Sequence, residues 1–153
     1  MQLTRYTDYG LRTLIYLGLH SESRVTVRTI ATAFNVSREH LLKVVQRLSA
    51  LGFVRTVRGK GGGLVLASAP ADINVGIVVR RLEGTLDVVN CQRPACPILP
   101  SCRLQGALNE ARNAFLEVLD SYTLATLLDQ REEYLRALLR FPAGVHAHTD
   151  QEV

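Results

Sequence analysis

SREHLLKVVQRLSALGFVRTVRGKGGGLVLA, residues 37–67, decides the fold. Its first half spaces Leu41, Leu42, Val44, Val45, Leu48 and Leu51 as one face of a helix, with Ser37 at the capping position. Gly52 then offers the left-handed stop that ends helices. The second half reads as a β-branched strand over 53–57, a glycine-rich turn over 58–63 and a return strand over 64–67. Two strands around such a turn form a hairpin.

Upstream lie two more helices. Residues 3–20 carry Tyr6, Leu11, Leu14, Ile15, Leu17 and Leu19 on a thick apolar face behind a Thr4 cap. Thr26 caps a short helix that runs through Phe34 and turns Val27, Ile30 and Ala31 inward. Three helices and a hairpin in this order predict a winged helix-turn-helix over 1–68. The fold class expected is mainly α with one small β-hairpin and a long dimerisation helix.

Downstream, Asp72 is a candidate cap for a connecting helix over about 74–83, within 69–85. A cysteine loop occupies 86–102. From 103 to 140 the pattern is helical again, with Leu104, Ala107, Leu108, Ala111, Phe115 and Leu119 in register over 103–120 and a break expected near Asp129. In so short a chain the 103–120 helix has only the first helix and a second copy of itself to pack against. A homodimer is therefore expected. Residues 141–153 lack an apolar pattern and are expected to form a flexible tail after Phe141-Pro142.

The net charge of +4 is unevenly spread. Residues 1–67 hold ten Lys/Arg against three Asp/Glu, whereas 68–153 hold eight against eleven. A basic front and an acidic back place nucleic acid at one end. Ser37, Arg38, His40, Lys43, Gln46 and Arg47 lie outside the apolar stripe of the third helix. Arg38 has the fork that matches a guanine edge, and Gln46 suits adenine. Ser37, Lys43, Thr26 and Arg28 suit phosphates. In the turn, Arg58 and Lys60 flank Gly59 and Gly61, which let backbone approach a phosphate strand closely. The rival for such glycines, a nucleotide cradle, requires them to open a helix, and here a strand follows.

All three cysteines, Cys91, Cys96 and Cys102, fall within twelve residues that also hold Pro94, Pro97 and Pro100. The prolines exclude an ordinary helix. No apolar run is long enough to cross a bilayer, and the charged opening is no signal peptide, so a cytoplasmic address without membrane contact is expected. There thiols stay reduced and serve as ligands or redox groups. Zinc usually takes a fourth Cys or His, commonly in paired Cys-x-x-Cys knuckles, which are absent. An incomplete set of soft ligands fits an iron–sulfur cluster whose last iron has a weak or foreign ligand. Three unliganded thiols remain the plainer reading. A thiol enzyme would need a base beside the nucleophile, and no Cys–His pairing is evident, so the chain is not expected to be an enzyme.

Taken in order, MQLTRYTDYGLR, VSREHLLKVVQRL, VRGKGGGLVLA, RRLEG and CQRPACPILPSCRL resemble the winged-helix family that holds the nitric-oxide-sensing repressor NsrR and the iron–sulfur regulator IscR. The likeness covers about residues 1–140. It implies a homodimer with one cluster per subunit, [4Fe-4S] or [2Fe-2S], held by Cys91, Cys96 and Cys102. It implies a palindromic double-stranded operator, nitric oxide as signal, and release of DNA when the cluster is nitrosylated. Asp8 matches a family aspartate that completes coordination from the partner's first helix; its plainer roles are facing the helix dipole or pairing with Arg12. Three departures stand out. No histidine stands shortly after the third cysteine, Thr29 replaces an acidic residue common in relatives, and four residues rather than five separate the first two cysteines. Alternatives are an iron- or redox-responsive regulator without nitric-oxide selectivity, or a cluster carrier that needs the cysteine loop but not the basic helix and wing.

Overall fold

Thr4 opens the first helix as the spacing predicts. Its hydroxyl accepts from the Thr7 N–H, and α1 runs Arg5–Leu19 in a computed structural model that describes residues 2–139. Thr26 opens α2 (Val27–Ala33) in the same way, through the Thr29 N–H. Asn35, with φ 51°, turns the chain toward α3 (Arg38–Ala50). Ser37 stands at the cap position of α3, but its side chain makes no capping bond, contrary to the expectation from sequence. Gly52 does stop the helix, with φ 79°.

Strands β1 (Val54–Val57) and β2 (Gly63–Leu66) pair antiparallel, with Val54 opposite Leu66 and Val57 opposite Gly63. The hairpin gains a third member. Val25, just before α2, exchanges backbone bonds with Leu64 at 3.1 and 2.7 Å. The wing root is thus sewn to the α1–α2 connection, which no periodicity announces.

A second correction concerns the connecting helix. Asp72 ends a short 3-10 turn, Pro70–Asp72, and Asn74 caps α4 (Val75–Leu82) by accepting from the Ile77 N–H at 2.9 Å. Helix α5 spans Arg103–Asp120, as the pattern predicts. Its main packed neighbour is α4. The contact is close because Gly76 leaves room; a Cβ there would collide with the Asp120 carboxylate. Asp120 accepts from both Arg80 terminal nitrogens, one of them at 2.6 Å, and its backbone oxygen accepts from the Asn74 amide at 2.7 Å. The hydrogen-bonded guanidinium holds the Asp120 carboxyl below its ordinary pKa and raises that of Arg80. The expected break falls at 129–131, where Gln130 has φ 57°, between α6 (Leu124–Leu128) and α7 (Glu132–Leu138). The 141–153 tail and the Phe141-Pro142 stop lie outside the described residues.

One apolar core joins these pieces. Leu14, Leu17, Leu19, Ile30, Leu41, Leu48, Val54 and Leu64 come from α1, α2, α3 and the hairpin, and Ile73, Val78, Leu82, Leu124 and Leu128 extend it. Each such side chain contributes roughly 1.5–3 kcal/mol on burial. Helix α5 gives only Leu116 to the interior, while Leu104 is 65% and Val118 59% exposed. No helix among the described residues is long and apolar enough to cross a membrane.

Candidate nucleic-acid interface and cysteine loop

Helix α3 buries Leu41, Val44, Val45 and Leu48, which forces Arg38, His40, Lys43, Gln46 and Arg47 to the surface. The face read as polar from sequence is therefore a continuous exposed strip. Ser37 is exposed at its head. The start of α2 and the wing close in on one side. Thr26, Arg28, Arg38, Leu42, Thr56 and Gly63 are among the residues lining a hollow of about 400 Å³. Three of the predicted contacts, Thr26, Arg28 and Arg38, thus line one groove.

The wing carries Arg58, Gly59, Lys60 and Gly61, all exposed. Gly59 and Gly61 adopt φ of 101° and 77°, conformations that side chains with a Cβ rarely take. Gly62 closes the turn by donating to the Gly59 carbonyl at 2.9 Å. Sequence reading missed two residues here. Arg24 donates to the Gly61 carbonyl at 3.3 Å, bracing the tip, and Thr56 lines the groove. Arg24 stands 37 residues from its partner, so no local pattern marks it. Arg47 leans toward α4, where its guanidinium donates to the Arg81 carbonyl at 3.5 Å.

The cysteine loop leaves α4 and enters α5. Backbone turns chain it together. The Cys96 N–H donates to the Cys91 carbonyl at 3.0 Å, the Leu99 N–H to the Cys96 carbonyl at 3.1 Å, and the Cys102 N–H to the Leu99 carbonyl at 3.3 Å. A 3-10 turn, Leu99–Ser101, delivers Cys102 as the residue that opens α5, with no side-chain bond to the first turn. The Asp87–Arg112 ion pair, 2.8 Å, ties the loop's entry to the middle of α5.

All three thiols are free and half-buried. Among the described residues, no three Cys, His, Asp or Glu side chains gather closely enough to hold a metal ion. The donor chemistry nevertheless suits a sulfur-ligated iron centre. Three soft donors lie on one short loop, and no disulfide consumes them. Asp8 sits in the first turn of α1 and pairs with Arg12 Nε at 2.8 Å, the plainer of its roles.

Known regulators resemble the chain over most of its length. Residues 3–130 match the Rrf2 family, described as iron-dependent transcriptional regulators. A helix-turn-helix transcriptional regulator NsrR from Geobacillus kaustophilus is 49% identical over 148 residues, 94% of this chain and all of that protein. Its counterpart from Halalkalibacterium halodurans is 46% identical over 144 residues, 92% and 98% of the two chains. Among solved structures, T. potens IscR superposes with a TM-score of 0.72 at 30% identity, covering 88% of this chain and 90% of that one.

Proposed function

The chain belongs to the Rrf2 family of transcriptional regulators and binds DNA as a regulator, not an enzyme; on that premise we propose that it is a nitric-oxide-responsive homodimeric repressor with an iron–sulfur cluster as its sensor. One observation carries the reading. The loop that holds every cysteine of the chain is the covalent link from the winged domain to α5, and α5 begins on Cys102 itself.

Cys91, Cys96 and Cys102 would hold the cluster, with Asp8 of a partner subunit as the hard, easily displaced fourth ligand. The cluster supplies an under-protected iron at which a small molecule such as nitric oxide binds. The chain's own residues do the rest. Cys102 fixes where α5 starts, Arg112 holds Asp87 at the loop entry, and the apolar side of α5, with Leu104 and Val118 exposed, meets the same face of a second copy. Arg38 and Gln46 read base edges, while Thr26, Arg28, Ser37, Lys43 and the wing grip phosphates. Two recognition helices then sit one DNA turn apart, ~34 Å, on a palindromic operator.

Switching occupancy from nearly full to nearly empty requires a difference of about 5.5 kcal/mol between the two states. Titration of nitric oxide into anaerobically purified protein on operator DNA tests the reading. Release of DNA in step with loss of the cluster's absorption is the expected result. Undiminished operator affinity after complete nitrosylation rejects it.

A further inference from the structure

The hollow beside the wing accounts for one flank of α3, and the other flank is also built. Three contacts bring the start of α1, the middle of α3 and the end of α4 to a common corner. The Tyr6 hydroxyl donates to the Lys43 carbonyl at 3.1 Å. Thr4 donates its N–H, at 2.8 Å, and its hydroxyl, at 3.2 Å, to the Glu83 carboxylate. Arg47 reaches the Arg81 carbonyl.

The corner is basic. Arg5, His40, Lys43, Arg47 and Arg81 are all exposed around it. Glu83 also lies there, its Oε1 accepting from Thr4, and Asp8 is paired with Arg12, so the exposed cations outnumber the unpaired carboxylate. A second hollow, about 240 Å³, is lined by Arg5, Tyr6, Tyr9, His40, Lys43 and Val44. Arg38 and Leu42 face the wing-side groove, whereas His40 and Lys43 face this one. Helix α3 therefore runs between two concave, cationic flanks.

A helix seated in the major groove has a phosphate strand on either side, because the groove is only about 12 Å wide. The wing and α2 serve one strand. The geometry points to the corner of α1 and α4 as the seat of the other, with Arg5 and Arg81 as phosphate contacts and the Tyr9 ring against the sugar. The inference rests on the DNA-binding reading and adds a strand to it. Arg5 and Arg81 escape the helix-turn-helix pattern because they lie outside residues 26–63, in elements that sequence reading treats as scaffold.

Ethylation interference and salt titration on the cluster-loaded dimer test it. In the Arg5→Gln/Arg81→Gln variant the slope of log affinity against log salt should flatten by about 1.8 per half-site, roughly 0.9 for each contact. Phosphates on the strand away from the wing should cease to interfere when ethylated, while wing-side phosphates still do. The ratio of operator to scrambled-duplex affinity should stay within about twofold, since phosphate contacts carry no base information. Arg5→Lys/Arg81→Lys should restore the slope. An unchanged slope, or loss of the wing-side phosphates instead, overturns the assignment. If the unsubstituted protein and Lys60→Ala both prove indifferent to salt, the DNA-binding reading itself falls, and this one with it.

Discussion

The winged region and the cysteine–α5 region are built by opposite rules. In the first, α1, α2, α3 and the hairpin share one apolar core, the α1 and α2 caps are satisfied, and Val25 stitches the wing into place. In the second, α5 buries one leucine, leaves Leu104 and Val118 largely exposed, and opens on a cysteine with no capping bond. The winged domain carries its stability within one chain. The α5 region owes its order to α4 and to the Arg80–Asp120 pair. A reading head that stays rigid while its attachment responds is what a switchable repressor needs.

The largest effect should come from the loop. Cys96→Ser is expected to give colourless protein whose operator affinity falls at least 100-fold, about 2.7 kcal/mol, with the thermal midpoint of the winged domain unmoved. Absorption spectra and gel shifts check this, and a brown Cys96→Ser protein would remove the ligand assignment. Leu48→Ala, in the core at 0% exposure, should cost about 2–5 kcal/mol of global stability in a denaturant titration. The same truncation at Leu104, 65% exposed, should change monomer stability by no more than ~0.5 kcal/mol yet weaken dimerisation in sedimentation. Equal losses at the two leucines would erase the contrast between the regions.

Smaller effects sharpen it. Arg38→Ala should cost about 1–3 kcal/mol of operator binding and relax base preference in a footprint, whereas Lys60→Ala should weaken all duplexes alike. Acid should loosen α5 before the core. Asp120 has its pKa depressed by Arg80, so the pair's contribution is complete above the unfolded carboxylate range and lost as pH falls through the lower, folded value. Hydrogen exchange should show the C-terminal end of α5 losing protection below about pH 4 while α3 keeps it. Asp120→Asn should abolish that pH dependence.

Sequence disclosed what local chemistry decides. The bounds of α5, the Thr4 and Thr26 caps, the Gly52 stop and the break near Asp129 all follow from residues within a turn or two of one another. Asp72 and Asn74 compete for the same role, and the 3-10 turn at Pro70 settles it for Asn74. Partners across the chain were not legible. Arg24 bracing Gly61, Val25 pairing with Leu64, α5 lying on α4, and Tyr6 bonding the Lys43 carbonyl are products of packing, and no periodicity encodes them. Cys91, Cys96 and Cys102 stand between these cases. Spacing names them as a set, but a chain of backbone turns alone does not draw the sulfurs to one point.

The Val25–Leu64 bridge and the Arg24–Gly61 bond have a bearing on how such a regulator can diversify. Through them the wing is anchored to the short connection between α1 and α2. Lengthening or trimming that span would tilt the β-ribbon against its target while every base-reading side chain stayed unaltered. Divergent lineages thus have a way to retune how the ribbon meets DNA by editing a surface bend.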